Sequence, residues 1–268
     1  MKLAVITLSN QGAFLAGRVA ESLPGAEVYA HRSVEAGAEV KRFDRIVELT
    51  ADIFRRYPGL VYIAPVGVAV RALAPHIRHK LSDPAVVAVD VGGRWAVSLL
   101  SGHEGGANDL ALAVSNVLSA EPVISTTTEA LKRLIVGIGC RRGTDSAAIV
   151  HAVRTVLKDA DLVIAEVRLL ASADIKADEG GLLAASRELG VPIRFISSRE
   201  IRNSTRCFTH SEFVKDKVNL PAVAEPCALL AGSRTTLLVP KKTYDGVVVA
   251  VARERFLWSE YFQAGRKE

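Results

Sequence analysis

Short apolar segments typical of β-strands alternate with segments of helical periodicity along the whole chain. Residues 2–8 are predicted to form a buried strand, and a helix at 13–23 follows it and ends at Pro24 and Gly25. A second apolar strand at 60–64 leads through Pro65 into a helix at 66–74, because proline fits the first turn of a helix. This alternation predicts an α/β fold with a mainly parallel central sheet flanked by helices.

The pattern restarts near residues 126–132, and the chain of 268 residues exceeds the roughly 100–200 residues typical of one domain. We therefore expect two α/β domains, residues 1–130 and residues 131–268. In the first domain, strands at 86–89 and 95–99 flank Gly92 and Gly93 and predict a hairpin. Further predicted elements include a helix at 109–118, strands at 123–125 and 133–138, and helices at 211–218 and 222–230.

The basic residues are spread along the chain and give a formal net charge of +5. They form no block of the kind found in nucleic-acid-binding tails. Aromatic residues make up 6% of the chain, too few to build stacking platforms for single strands. A diffuse positive charge suits a small polyanionic ligand, and we expect no nucleic-acid partner.

The three cysteines, Cys140, Cys207 and Cys227, form no C-x-x-C pair, which favours a reducing compartment and gives no zinc framework. His76 and His79 have helical spacing, but Pro75 interrupts the helix and no third ligand is evident, so no metal site is predicted. The N-terminus resembles a strand rather than a signal peptide. Apolar runs are shorter than the roughly 20 residues of a membrane span, so we expect a cytoplasmic protein with no membrane partner.

The segment LLSGHEGGAN, from Leu99 to Asn108, connects a predicted strand to a predicted helix. A glycine-rich turn that opens a helix exposes free backbone N–H groups, and it places Ser101, His103, Glu104 and Asn108 close together. These groups suit anion binding or acid–base chemistry. The alternative is a tight connection capped by a serine or asparagine side chain.

The segment GIGCRRGT, residues 137–144, also follows a strand and opens a helix, which Thr144 or Asp145 is expected to cap. Its glycines let the backbone approach a ligand, and Arg141 and Arg142 could bind carboxylates in bidentate fashion. The spacing is not G-x-G-x-x-G, so a dinucleotide site is poorly supported. The alternative is a glycine turn with solvated arginines.

Four other charged residues lie at candidate positions. Lys80 precedes Ser82-Asp83-Pro84, which otherwise indicates a solvated turn with an Asx-type cap. Lys176 and Glu179 could pair with each other or face a cleft, and surface charges are the simpler interpretation. Glu225 lies in an apolar helical segment, where it could simply lie near the positive end of a packing helix.

These motifs together resemble the CbiG family of cobalamin biosynthesis over nearly the whole chain. The strings LLSGHEGGAN and GIGCRRGT are the specific ones. The resemblance also includes SDPAVV at residues 82–87, VISTTT at 123–128, EGGL at 179–182, SEFV at 211–214 and AVAEPCALL at 222–230. The second half is similar to the stand-alone CobE-type domain of the aerobic pathway.

The resemblance implies a cobalt-precorrin-5A hydrolase, which opens a lactone on a cobalt corrinoid and releases acetaldehyde to give cobalt-precorrin-5B. The cobalt belongs to the substrate, so no protein cofactor or metal is implied. Other enzymes of the pathway are candidate partners, and a homodimer is left open. Family members commonly carry a middle segment between the two motifs, whereas here Thr128 leads to Leu134 almost at once.

Lactone opening needs a base to activate water and donors to stabilise the developing oxyanion. We expect His103 or Glu104 to be the base, and the N–H groups of Gly105 and Gly106, with Asn108, to be the donors. A cleft between the two domains would suit a macrocycle rimmed by carboxylates. The residues expected to bind substrate are Lys80, Ser101, Gly102, Gly105, Gly106, Gly139, Cys140, Arg141, Arg142, Gly143, Thr144, Lys176, Glu179 and Glu225.

Two rival hypotheses remain at this point. A non-catalytic corrinoid carrier would fit the short chain and the CobE-like half, and it predicts binding without acetaldehyde. A phosphate- or nucleotide-binding enzyme built on residues 137–143 predicts thermal stabilisation by a nucleotide and none by a corrinoid.

Overall fold

The computed structural model describes residues 2–209 and 220–256. The chain divides into two compact units, residues 1–127 and residues 128–268, and each is described by itself. Within the described ranges, no helix is long and apolar enough to cross a membrane.

The first unit is built on a seven-stranded sheet in the order β3-β2-β1-β4-β5-β6-β7. Its strands are β1 (Leu3–Thr7), β2 (Ala26–His31), β3 (Lys41–Phe43), β4 (Gly59–Ile63), β5 (Ala85–Val89), β6 (Trp95–Leu100) and β7 (Glu121–Val123). All neighbouring strands pair in parallel except β5 and β6, which pair antiparallel. The predicted hairpin around Gly92 and Gly93 is therefore confirmed.

Helices cover both faces of this sheet. They are α1 (Asn10–Ser22), α2 (Ile46–Ile53), α3 (Val66–Leu73) and α4 (Ala107–Leu118). Strands β1, β4 and β5 are buried throughout, as expected for strands covered on both sides. One core cluster packs residues of α1 and α4 against the sheet, and another packs residues of α2 and α3.

The antiparallel pairing of β6 decides where the segment after it lies. Leu100, the last residue of β6, is opposite Val86, near the start of β5. The residues that follow β6 therefore lie at the edge where the parallel strands β1, β4 and β5 begin. The turn that precedes β5 lies at this same edge.

The second unit has a five-stranded sheet in the order β10-β9-β8-β12-β11. Its strands are β8 (Leu134–Gly139), β9 (Val167–Ala173), β10 (Ile193–Ile196), β11 (Thr235–Tyr244) and β12 (Val247–Glu254), and its helices are α6 (Ser146–Asp159), α7 (Gly180–Leu189), α8 (Ser198–Asn203) and α9 (Ala224–Leu230). Strands β8, β9 and β10 are parallel, whereas β12 and β11 add an antiparallel hairpin. Helix α5 (Thr127–Ala130) spans the point at which the units divide. The α/β prediction is confirmed for both units.

Several boundaries differ from the prediction for identifiable reasons. The strand predicted at 123–125 is β7, which lies at Glu121–Val123 because its residues pair with Trp95–Val97 of β6. The short edge strand β3 and helix α8 were not predicted, since each is polar and has little apolar periodicity. The helix predicted at 211–218 lies outside the described residues.

Candidate functional site

The loop between β6 and α4 folds tightly on itself. Ser101 adopts a positive φ of 59° directly after the strand. Its carbonyl accepts the N–H of Ala107 at 3.1 Å, and the carbonyl of Gly102 accepts the N–H of Asn108 at 3.0 Å. A β-carbon built on Gly105 would lie 2.3 Å from the Cβ of Ser101, so no larger residue fits there without movement. The loop thus depends on glycine for its shape.

Asn108 is buried and fastens this loop to its neighbours. Its Oδ1 accepts a hydrogen bond from Ser98 Oγ at 2.8 Å, and its Nδ2 donates to Thr126 Oγ1 at 3.0 Å. Thr126 also packs against Gly102, where an added β-carbon would come within 2.6 Å of the threonine methyl. The amide of Asn108 is therefore engaged inside the first unit, which favours a positioning role over direct contact with a ligand.

His103 and Glu104 lie exposed at the tip of the loop. Lys80 Nζ approaches Glu104 Oε1 at 2.5 Å, and this hydrogen bond is the main cause that holds the pKa of Glu104 below its ordinary value. A carboxylate held ionised by a lysine is a weak base. Among the described residues, none forms a hydrogen bond with the imidazole of His103, so its nitrogens are available to a ligand or water.

Ser101 occupies a strand–turn–helix position like that of the nucleophilic serine in α/β-hydrolases. Its hydroxyl does not reach a base, however, because Oγ donates to the carbonyl of Asp83 at 3.1 Å. Ser101 is also buried. The hydrogen bond of Ser101 therefore links its own loop to the turn that precedes β5.

That turn contains residues whose importance the sequence analysis did not identify. Asp83 is buried, and its Oδ2 accepts the backbone N–H groups of Arg78 at 2.7 Å and His79 at 3.0 Å. The signal was present in the Asx-type cap expected before Pro84. What could not be foreseen is that this capped turn packs against the Ser101 loop.

The second candidate loop, residues 140–145, follows β8 and leads into α6. Gly143 has a positive φ of 74°, and its N–H donates to Glu179 Oε1 at 2.9 Å. Glu179 is buried, and its other oxygen lies 3.4 Å from Lys176 Nζ. The structure thus joins Lys176 and Glu179 to the glycine loop, instead of leaving them as separate surface charges.

Two glycines allow close packing around this loop. A β-carbon on Gly181, in the first turn of α7, would lie 2.0 Å from the carbonyl oxygen of Thr144. A β-carbon on Gly137 would lie 1.9 Å from the carbonyl oxygen of Ala224, in α9. Gly137 therefore serves helix packing, whereas Gly181 brings α7 against the loop. The N-cap of α6 is Asp145, one of the two residues expected to cap the helix, but its side chain makes no capping hydrogen bond.

The two arginines of the loop differ in their surroundings. Arg142 is exposed and pairs with Asp178 at 2.9 Å, which raises the pKa of the arginine. Arg141 is also exposed, and the described residues offer its guanidinium neither a hydrogen bond nor an ion pair. Arg141 is consequently the better placed of the two for an anionic ligand.

Cys140 and Cys227 are both protected thiols. Burial is the main cause that raises the pKa of Cys140, which Lys176 partly offsets. Cys227 is fully buried, and burial raises its pKa well above the ordinary value. Neither environment favours a reactive thiolate.

Glu225, predicted to bind substrate, is buried and saturated with internal contacts. Its Oε2 accepts the backbone N–H of Thr209 at 2.6 Å, and its Oε1 accepts that of Lys241 at 2.9 Å. These hydrogen bonds link Glu225 of α9 to two segments that lie far from it in the sequence.

Within the described ranges, no group of three or more His, Cys, Asp or Glu side chains could hold a metal ion.

Comparison with known proteins identifies the family. The family model for the cobalamin synthesis G N-terminal domain matches residues 48–129, and that for the cobalamin synthesis G C-terminus matches residues 134–252. The chain belongs to the CbiG family. Both candidate loops of this CbiG protein lie within the matched regions, and only four residues separate the two matches.

Proteins similar to this CbiG chain include two cobalt-precorrin-5A hydrolases and a CobE protein. Cobalt-precorrin-5A hydrolase of Priestia megaterium is 24% identical over 352 aligned positions, which cover 93% of this chain and 94% of the relative. The enzyme of the same name from Salmonella typhimurium strain LT2 is 41% identical over 128 residues, covering 47% of this chain and 36% of the relative. Protein CobE of Sinorhizobium sp is 32% identical over 117 residues, covering 43% of this chain and 76% of the relative.

The alignment with the Priestia protein is longer than this chain, so it contains positions without a counterpart here. This accords with the short connection between the two family matches. The CbiG chain therefore carries both terminal regions of the family with a reduced link between them.

Proposed function

We propose that this CbiG protein is a cobalt-precorrin-5A hydrolase of anaerobic cobalamin biosynthesis. It opens the lactone of its cobalt corrinoid substrate and releases acetaldehyde, giving cobalt-precorrin-5B. Membership of the CbiG family and the relatives named for this activity support the proposal. The cobalt is that of the substrate.

The observation that carries the chemistry is the Ser101–Gly106 loop. It presents His103 without a hydrogen-bond partner among the described residues, beside the exposed pair of Lys80 and Glu104. Gly105 and Gly106 contribute backbone N–H groups that donate to no other described residue. One loop therefore offers both a free base and free donors, which are the two requirements of ester hydrolysis.

In the first step, His103 accepts a proton from water as the water oxygen attacks the lactone carbonyl. The N–H groups of Gly105 and Gly106 stabilise the oxyanion, and the acyl C–O bond breaks to leave an alcohol that takes the proton back. His103 is favoured over Glu104 because Lys80 keeps the Glu104 carboxylate ionised and occupied. Asn108 holds the loop in place through Ser98 and Thr126.

In the second step, the new hydroxyl group loses its proton and the carbon–carbon bond to the macrocycle breaks. Acetaldehyde leaves, and the electron pair enters the conjugated corrinoid, which is then protonated. Lys80, Arg141 and Arg142 bind side-chain carboxylates of the substrate, because guanidinium and ammonium groups recognise carboxylates well. Lys176 and Glu179 shape the Gly139–Thr144 loop that carries these arginines.

The reaction takes place in the cytoplasm on this proposal, which the cysteine chemistry supports. Cys140, Cys207 and Cys227 are all free thiols. Free thiols are typical of proteins from reducing compartments.

Variants of the two loop residues test the assignment of the base. His103→Ala should lower the rate of acetaldehyde release about 10²- to 10⁴-fold, the usual contribution of a general base. Glu104→Gln removes a carboxylate at the neighbouring position and should change the rate by less than about tenfold. A His103→Ala protein that matches the parent rate, or a Glu104→Gln protein that loses it, would overturn the assignment.

A further inference from the structure

The turn between α3 and β5 presents three consecutive donor residues, Arg78, His79 and Lys80, all of them exposed. The described residues offer the guanidinium of Arg78 no partner. His79 Nδ1 accepts the N–H of Leu81 at 3.2 Å, so Nε2 is the ring nitrogen that carries a hydrogen and can donate. Three neighbouring donors of this kind form a surface suited to carboxylates.

One oxygen atom of Asp83 shapes the backbone of this turn. Oδ2 alone accepts the N–H groups of both Arg78 and His79, at 2.7 and 3.0 Å. Oδ1 is buried and has no hydrogen-bond partner. The turn therefore requires an acceptor at the Oδ2 position, whereas nothing in the turn uses the second oxygen.

Two contacts fasten the turn to the loop that carries His103. Ser101 Oγ donates to the carbonyl of Asp83, and Lys80 pairs with Glu104. The side chains of Lys80 and Glu104 are 64% and 38% exposed, so solvent screens their ion pair and the pair adds little to stability. The ammonium group of Lys80 has three donor hydrogens, so it can bind a substrate carboxylate while it keeps its contact with Glu104.

We propose that residues 78–80 bind carboxylate groups of the corrinoid substrate and that Asp83 is the residue that positions them. The inference rests on the proposed function for the identity of the ligand. Arg78 binds a carboxylate in bidentate fashion, while His79 and Lys80 contribute single donors. Asp83 touches no substrate and acts through the backbone of the turn.

Binding measurements test this proposal without any need for turnover. The full chain is titrated with cobalt-precorrin-5B, the product, which the protein does not consume, and with a cobalt corrinoid whose carboxylates are amidated. The parent should bind the carboxylate form at least about tenfold more tightly, a difference expected of charge-assisted over neutral hydrogen bonds. Equal affinity for the two forms would overturn the proposal even if the protein releases acetaldehyde.

Substitutions at Asp83 separate positioning from charge. Asp83→Ala removes the acceptor and should weaken binding of the carboxylate form about tenfold or more, with kcat changed much less than KM. Asp83→Asn keeps one oxygen for both N–H groups and places a neutral amide where Oδ1 has no partner. It should bind within about twofold of the parent. An Asp83→Asn protein as weak as Asp83→Ala would overturn the positioning role.

If Asp83→Ala fails to fold, substitutions of exposed arginines still test whether residues 78–80 bind the substrate. Arg78→Gln should raise KM and flatten its dependence on salt, because an exposed charge–charge contact is screened by ions. Arg55→Gln removes an exposed arginine elsewhere on the same unit and serves as the matched control. If Arg78→Gln and Arg55→Gln behave alike, residues 78–80 do not bind the substrate.

Discussion

Replacement of Glu179 by alanine should lower the free energy of unfolding of the second unit more than the substitution of an exposed residue does. The residue is 5% exposed, and its oxygens meet Gly143 N at 2.9 Å and Lys176 Nζ at 3.4 Å. The Lys176 side chain is only 13% exposed, so alanine leaves a largely buried ammonium group and an N–H without an acceptor. Removal of one partner from a buried ion pair costs about 3–5 kcal/mol.

Glu179→Gln should cost less, because the amide oxygen still accepts the N–H of Gly143. Only the charged bond to Lys176 is weakened, which corresponds to about 1.5–3 kcal/mol. Glu188→Ala is the matched control, since Glu188 is an exposed glutamate on α7, the helix that begins directly after Glu179, and it should change stability by less than about 0.5 kcal/mol.

Urea unfolding of the full chain, followed by far-ultraviolet circular dichroism, measures all three variants. The expected order of destabilisation is Glu179→Ala, then Glu179→Gln, then Glu188→Ala. A loss below about 1 kcal/mol for Glu179→Ala would refute the argument, because a buried uncompensated ammonium could not then be present.

Three further outcomes follow from the described contacts. Gly105→Ala should lower stability by about 1–3 kcal/mol in thermal melts, because the new β-carbon would clash with the Ser101 side chain. A β-carbon at Gly17 meets nothing within 4 Å, so the control Gly17→Ala should be neutral or stabilising. Equal effects of the two substitutions would contradict the loop geometry. The pKa of Glu27 is lowered from 4.5 to about 2, first by its hydrogen bond from Lys41 and then by those from Tyr57 and Lys2. The ionised form of Glu27 therefore stabilises the fold fully above pH 4.5, and this contribution is lost as the pH falls towards 2. The difference in stability between the parent and Glu27→Gln should shrink over that pH range. A stability difference that does not change with pH would contradict this prediction. Exposed Cys207 should react with a thiol reagent in the native protein, and buried Cys227 only after unfolding; native labelling of Cys227 at the same rate would show that its burial is wrong.

The architecture could be predicted because it depends on local patterns. Strand and helix periodicities alternate in both halves, and Gly92 and Gly93 mark the hairpin. The antiparallel direction of β6 follows from that hairpin, whereas the contact that it creates at the site depends on the order of the strands in the sheet. The loop carrying His103 lies beside the turn that holds Asp83 only because β6 runs against β5.

The roles of the buried polar residues could not be predicted, because their partners lie far away in sequence. Glu225 is satisfied by Thr209 and Lys241, each 16 residues distant, and was expected to bind substrate. Asn108 is held by Ser98 and Thr126, 10 and 18 residues away. A polar side chain in a motif is equally compatible with a ligand and with an internal partner until the fold brings that partner close.

The hydrolase activity is tested most directly by the amount of acetaldehyde that the purified full chain releases from cobalt-precorrin-5A under anaerobic conditions. One acetaldehyde is expected for each corrinoid converted to cobalt-precorrin-5B, with many turnovers per protein and a rate that falls sharply in His103→Ala. Tight binding of the corrinoid with no acetaldehyde would contradict the hydrolase assignment.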